Sequence, residues 1–273
     1  MGITAEQVRQ FEADGFVILD RILDAEHVDK ARAAMTRIFR GEYRHDRRPA
    51  AFQKPLTTYP EVSPVTKHIV DGRLLDDDLW EVSTDPKIGE MAARLMRAAS
   101  VSLVQDQLFE KSPGGKPIAF HQDGPYLEFL DPWDTYLTCW IALADTTEDM
   151  GPITYIRGSH RWRESAKPSK FGTGDEEDMM EVVEAVRPPG ASLEIVPVVV
   201  PAGGGAFHHA MLMHGSYPNR SSRTRYAYAL HSVPEDCRAN VRAAKPTRYV
   251  LEGIEHGEPV AGTYIPIVYP PPA

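Results

Sequence analysis

Long apolar runs are missing from this chain of 273 residues. No stretch approaches the ~18 residues that a membrane-spanning helix needs, so no membrane partner is expected. Cysteine is scarce. Cys139 and Cys237 cannot build a disulfide framework or a cysteine-rich zinc site, and they read as reduced thiols of a cytoplasmic protein. Positive charge is in deficit: 30 Lys and Arg face 39 Asp and Glu, for a net charge of -9. A binder of nucleic acid or anionic lipid wants the opposite balance. The opening MGITAEQVRQFEADG is polar and helical in pattern, unlike a signal peptide. No Gly-rich loop joins a strand to a helix in a βαβ context, which argues against dinucleotide and P-loop enzymes. No linker and no internal repeat divides the chain, so residues 1–273 read as a single domain.

What is present is an ordinary globular composition, 42% hydrophobic and 25% charged. The 23 prolines favour a loop-rich fold over a helix bundle. Thr4 with Gln7 forms a capping box for a helix reaching Ala13. Asp14-Gly15 is a turn, and Phe16 to Leu19 a strand. Asp24 caps a second helix whose Val28, Ala31, Met35 and Ile38 share one face before Gly41 ends it. Residues 42–66 read as a long polar loop, a frequent form of active-site cover. Asp85-Pro86 opens a third helix with Ile88, Met91 and Leu95 as its buried stripe.

From Val101 the pattern becomes strands: VSLVQDQLFE, TYLTCWIALA, ITYIRG, LEIVPVVV, GAFHHAMLMH and RYAYALHSV. A charged, partly helical insertion, 163–190, interrupts them and is the other candidate cover. Helices first and strands afterwards make a mainly β, α+β architecture. Its helical part spans about 1–100, its strand-rich core about 101–235, and a C-terminal extension 236–273.

His121 and Asp123 in Phe-His-Gln-Asp lie two apart, so on a strand they share a face and can bind one divalent metal. A third ligand must come from far along the chain. His214, which closes a hydrophobic strand and starts a turn, is the best candidate. Two histidines and a carboxylate form the facial triad of non-heme Fe(II) oxygenases, which leaves positions open for a cosubstrate and O2. Arg223 and Arg225 follow on what reads as the next strand, and an arginine there can clamp a dicarboxylate such as 2-oxoglutarate in two-pronged fashion.

In these segments the sequence resembles the phytanoyl-CoA dioxygenase (PhyH) branch of the Fe(II)/2-oxoglutarate-dependent oxygenases. The matching pieces are FEADGFVILDRILD, FEKSPGGKPIAFHQDGPYL, WIALADTTEDMGPITYIRGSH and HGSYPNRSSRTRYAYALH, which span roughly residues 5–235. The resemblance implies a double-stranded β-helix, or jelly-roll, core with N-terminal helices packed outside. It implies Fe(II) on His121, Asp123 and His214, with 2-oxoglutarate and O2 as cosubstrates. Arg225 matches the arginine that pairs with the far carboxylate, with Arg223 in reserve. Ser216 matches a cosubstrate hydroxyl contact, and Trp140 an aromatic lining the cosubstrate pocket. Lys67 stands near the position of a cosubstrate-binding lysine, with Lys111 as the alternative. The usual Pro-x-Gly-Asp before the distal-histidine strand is replaced by Pro201-Ala202-Gly203-Gly204-Gly205, and Asn-Gly after the middle strand by Met150-Gly151. Both departures concern loops rather than the ligands.

The resemblance also implies the reaction. 2-Oxoglutarate is decarboxylated to succinate and CO2 while a C–H bond is oxidised by hydroxylation, desaturation, epimerisation or cyclisation. Family halogenases lack the carboxylate that Asp123 supplies. The expected partner is a small molecule, neutral or amphiphilic, such as a natural-product intermediate. An acyl-CoA is the alternative substrate, and a catalytically silent jelly-roll binding protein the alternative class. Gln105, Gln107 and Phe109 share a strand face with Lys111, and Tyr126, Phe129 and Trp133 form a candidate aromatic wall. His160 reads as structural; His208 and His209 point to opposite faces of a strand, so one of them can sit near the site, with a core or surface histidine as the favoured reading.

Overall fold

In the computed structural model, which describes residues 2–48, 66–172, 174–243 and 246–270, one large antiparallel sheet stands against a smaller one. Strands are β1 (Phe16–Leu19), β2 (Thr66–Val70), β3 (Val101–Lys111), β4 (Ile118–His121), β5 (Leu130–Asp131), β6 (Leu137–Ala142), β7 (Ile153–Ile156), β8 (Ile195–Pro197), β9 (Gly205–His209), β10 (His214–Ser216), β11 (Arg225–Pro234), β12 (Arg238–Ala239) and β13 (Ile267–Tyr269). Helices are α1 (Ala5–Asp14), α2 (Ala25–Phe39), α3 (Asp77–Ser83), α4 (Pro86–Met96) and α5 (Glu181–Val186). The large sheet runs β1-β9-β6-β11-β3-β13 with β2 also on β3, and the small one β4-β10-β7-β8.

Period-two alternation gives the large sheet two distinct faces. Cys139, Ile141, Phe207, Tyr228 and Leu230 point outward and are covered by the apolar stripes of α2 and α4. Trp140, Ala142, Ala206, Ala227 and Ala229 point inward and meet Ile153 and Tyr155 of the small sheet. Small alanines on the inner face leave room between the sheets. The helix starts are those the sequence signals. Thr4 Oγ1 accepts from Gln7 N at 3.2 Å while Gln7 Oε1 accepts from Thr4 N at 2.9 Å. Asp24 caps α2, and Asp85 precedes Pro86 at the first turn of α4.

The Gly-rich departure at 203–205 has a packing reason. Gly203 sits at φ 85° and its carbonyl accepts from Ile22 N and Leu23 N at 2.7 and 2.9 Å. A Cβ at Gly205 would lie 2.1 Å from the Trp140 carbonyl oxygen. The loop can enter β9 this close to β6 only without side chains.

Several expectations need correction. β2 and α3 were not anticipated from the sequence. GAFHHAMLMH is not one strand: β9 ends at His209, and residues 210–213 turn across to the small sheet, with Leu212 N bonded to His209 O at 2.9 Å. His214 therefore opens β10 rather than closing a strand. LEIVPVVV shrinks to three strand residues, since Pro197 has no N–H for a ladder. The C-terminal extension is integrated, with β13 on β3 and β12 on β5. Of the loop 42–66, residues 49–65 lie outside the described residues. Cys139 and Cys237 are free and buried. Among the described residues no helix is long and apolar enough to cross a membrane.

Candidate metal centre and cavity

β4 stops at His121, and Asp123 already has helical backbone angles, φ -72° and ψ -37°. The two residues converge because the strand ends between them, not because they share a strand face. β10 pairs with β4 so that His214 lies directly opposite His121, with ring centroids 4.2 Å apart. Each Nδ1 donates to the carbonyl two residues back, Ala119 O and Leu212 O, both at 2.9 Å. That orients each ring so that its Nε2 faces Asp123 Oδ1, at 3.7 and 3.5 Å. The three donor atoms lie within 4.8 Å of one another. Metal bonds of about 2.1 Å at right angles would put neighbouring donors about 3 Å apart. Two imidazoles and one carboxylate on one side of an open cavity thus fit a divalent ion after a small inward adjustment.

The other oxygen of Asp123 is held from behind. Thr138 Oγ1 donates to Oδ2 at 2.9 Å and His208 Nε2 at 3.2 Å, while Tyr155 Oη donates to His208 Nδ1 at 3.0 Å. Burial, the largest influence, disfavours the Asp123 anion. His214 and the hydrogen bonds from His121, His208 and His214 outweigh it and keep the carboxyl well below its usual range. For His214 the balance also favours charge: burial lowers its pKa, but Asp123 raises it above the ordinary value. His121 is pushed down by burial and by His214. Of His208 and His209, it is His208 that sits at the site, where it orients a metal-ligand candidate. Its signal was the parity of β9, where Phe207 faces the helices and so turns His208 inward.

A cavity of about 490 Å3 opens beside these groups, lined from both sheets. Arg225 is 2% exposed and lies 5.7 Å from the centre of the Trp140 ring. Among the described residues it has no carboxylate partner, its Nε makes no hydrogen bond, and burial pushes its pKa down to about 10. Lys111 sits opposite Arg225 on β3, with Nζ donating to Ser216 Oγ and Tyr217 O, both at 2.7 Å. Burial, then Arg225, drives its pKa well below normal. So Arg225, Ser216 and Trp140 are brought together, with Lys111 behind them.

Lys67 is not. It lies on the opposite face of β2 from the cavity residues His68 and Val70, and pairs with Glu110 at 2.7 Å on the surface. Arg223 is exposed and donates to Thr147 Oγ1 at 3.1 Å. Gln105, Gln107, Phe109 and Tyr126 line the cavity, whereas Phe129 and Trp133 pack in a separate apolar cluster. Segment 163–190 reaches the site through Lys167, Pro168 and Phe171, with the Phe171 ring 4.6 Å from that of His121. Thr138, Tyr136, Tyr155, His68 and His231 were missed in the sequence, because their position depends on cross-strand register.

The sequence model of the phytanoyl-CoA dioxygenase (PhyH) family matches residues 11–227. An ectoine dioxygenase of Bordetella parapertussis is 27% identical over 236 residues, covering 80% of this chain and 71% of the relative. Among solved structures, the epimerase SnoN, in complex with Fe3+, alpha ketoglutarate and nogalamycin RO, superposes with a TM-score of 0.73 at 20% identity, over 96% of this chain and 97% of that one. The non-heme alpha ketoglutarate-dependent carbocyclase SnoK from nogalamycin biosynthesis gives 0.72 at 24% identity, over 97% and 96%. These two likenesses speak for the fold.

Proposed function

Because the chain belongs to the phytanoyl-CoA dioxygenase (PhyH) family, and is with it an Fe(II)/2-oxoglutarate-dependent dioxygenase, we propose that it oxidises a C–H bond of a small neutral or amphiphilic metabolite held between its two sheets. We read those sheets as a double-stranded β-helix and the whole chain as one domain. The free buried thiols suit a cytoplasmic setting. Fe(II) and 2-oxoglutarate are its cofactors, with O2 as second cosubstrate.

One observation carries the assignment of residues. Arg225, a buried guanidinium with no carboxylate partner among the described residues, lines the same cavity as the His121, Asp123, His214 donor set. A dicarboxylate that chelates a metal with one end and needs a cation for the other fits both. His121, Asp123 and His214 would hold iron. Arg225 would pair with the far carboxylate, with Ser216 donating to it and Trp140 flanking it. When bound, iron and 2-oxoglutarate supply the oxidising power and release CO2 and succinate. The chain's own share is to fix the ligands: Thr138 and His208 hold Asp123 in place, and Phe171 and Tyr126 exclude water from the His121 side.

Asp123 fills the carboxylate position, so hydroxylation, desaturation, epimerisation or cyclisation is favoured over halogenation. The epimerase and carbocyclase among the structural neighbours support a natural-product intermediate as substrate. Among the described lining residues the lysine and arginine side chains are Lys167 and Arg225, a poor match for the phosphates of an acyl-CoA. Anaerobic Fe(II) and 2-oxoglutarate should give a weak metal-to-ligand charge-transfer band with the wild type. Asp123→Ala should abolish it, and Arg225→Met should require far more 2-oxoglutarate. No band and no succinate release from the wild type would end this reading.

A further inference from the structure

At one end of the inner face of the large sheet, three buried polar side chains that line the cavity each hold an atom with no hydrogen-bond partner among the described residues: Gln105 Nε2, Tyr136 Oη and His231 Nε2. Gln105, Tyr136 and His231 are 3%, 1% and 3% exposed. They are neighbours by construction. Gln105 pairs with His231 across β3 and β11, His231 pairs with Thr138 across β11 and β6, and the Tyr136 ring stands edge-on to His231 at 5.9 Å. Buried polar groups left unpaired cost stability, and three converging on one cavity mark a place where a ligand completes them.

Their hydrogen-bonding character follows from the groups behind them. Thr138 has one hydroxyl proton and gives it to Asp123 Oδ2, so the 2.9 Å contact with His231 Nδ1 must be a donation from the imidazole. His231 therefore shows the cavity an Nε2 lone pair. His68 Nε2 donates to Gln107 Oε1, and Gln107 Nε2 donates to Gln105 Oε1, each at 3.0 Å. Gln105 thus shows the cavity an amide N–H. Tyr136 adds a hydroxyl that both gives and accepts.

We infer that Gln105, Tyr136 and His231 form the subsite that selects the substrate, and that it takes an uncharged hydroxyl-carbonyl or diol group on an otherwise apolar molecule. This rests on the oxygenase reading and narrows it. An anionic group would leave the His231 lone pair facing negative charge. Among the described lining residues a cationic group would find no carboxylate other than Asp123. Val70, Phe109, Leu127, Ile153 and Phe171 give the wall an apolar stretch that suits a hydrocarbon frame. The contact of His231 Nδ1 with Asp123 Oδ2, 4.0 Å, places the subsite next to the metal donors.

Three probes of one shape test this: 2-hydroxy-1-tetralone, tetralin and tetralin-2-carboxylate, titrated anaerobically into protein loaded with Fe(II) and 2-oxoglutarate and followed by calorimetry. The hydroxy-ketone should bind roughly tenfold or more tighter than either other probe, as one good hydrogen bond requires. Tyr136→Phe and Gln105→Leu should each erase most of that preference while leaving tetralin unchanged. Tyr136→Phe should also raise the thermal midpoint of ligand-free protein, since it removes an unpaired buried hydroxyl and breaks no hydrogen bond, whereas Gln105→Leu frees Gln107 Nε2 as well and is read by affinity alone. Absence of a hydroxy-ketone preference, a preference for the carboxylate, or a lowered midpoint in Tyr136→Phe would overturn the subsite. Succinate release by wild-type protein without any probe tests the oxygenase reading separately.

Discussion

Two buried arginines of this molecule live in opposite surroundings. Arg73, 0% exposed, donates to Asp106 at 2.7 Å, to Asp71, and to the carbonyls of Val104 and Tyr264 at 3.1 and 2.7 Å. Tyr228 Oη donates to Asp106 at 2.9 Å, and Tyr249 Oη to Asp71. Among the described residues Arg225 has no such company. Burial pulls the Arg73 guanidinium toward neutrality, but its two aspartates more than restore it, whereas Arg225 is only pulled down. The first cluster ties β3, β11 and the C-terminal extension together. The second is a buried charge that costs the protein stability on its own and that the proposed cosubstrate carboxylate would pair.

The same substitution should therefore have opposite effects at the two places. Arg73→Met strands two buried aspartates and is expected to cost about 3–5 kcal/mol in denaturant unfolding. Arg225→Met should leave ligand-free stability equal or higher, while 2-oxoglutarate affinity falls roughly 10–150-fold, the worth of a charged hydrogen-bonded contact. Should Arg225→Met unfold the protein as Arg73→Met does, the arginine is structural and the cosubstrate assignment fails.

Thr138→Val probes the support of the metal donors. It removes the hydroxyl that holds Asp123 Oδ2 and bonds His231, with nearly unchanged volume. Iron affinity is expected to drop roughly 10–100-fold, as loss of a ligand-orienting hydrogen bond generally does. Titration of apoprotein with Fe(II) under anaerobic conditions measures it, and an unchanged affinity would make Thr138 a packing residue.

The sequence made the candidate metal donors legible as a group, which the structure brings together, because His121 and Asp123 are separated by a single residue and bounded by a strand and Asp-Gly-Pro. Arg225 was legible through its distance from His214 once a family was in view. Thr138, His208 and His231 were not, because they meet Asp123 only through the register of β6, β9 and β11, which joins residues up to about a hundred positions apart. The crossing at 210–213 was hidden by its apolar residues, which satisfy a strand pattern equally well. α3 was hidden by Asp76, Asp77 and Asp78, which look like a turn; Asp76 caps the helix by accepting from Asp78 N at 3.0 Å.

pH separates the two regions again. Burial holds His68, in the cavity wall, down to about 4. Its folded pKa is below the unfolded value, so the unfolded chain takes up the proton first, and stability falls as pH drops below about 6.5 toward 4. Asp106, beside Arg73, is raised by burial to about 6. Its contribution has the other sign, present below about 4 and lost as pH rises through 6. His68→Gln should flatten the decline of the thermal midpoint between pH 6.5 and 4. A steeper decline in that variant would contradict a neutral buried His68.

The smallest effect is expected at Lys67, and it checks the face of the sheet on which 2-oxoglutarate is held. Lys67 and Lys111 lie on adjacent strands. Lys67 is half exposed in an ion pair with Glu110, while Lys111 is buried against Ser216 and Tyr217 beside Arg225. An exposed pair of this kind contributes about 0–1 kcal/mol. Lys67→Met should therefore change unfolding by no more than that and leave the KM for 2-oxoglutarate at the wild-type value. Lys111→Met releases the Ser216 hydroxyl and should raise that KM. If Lys67→Met raised it as much, the far carboxylate would have to be bound outside the Arg225, Ser216 and Trp140 face, because no rotamer takes the Lys67 ammonium through β2 into the cavity.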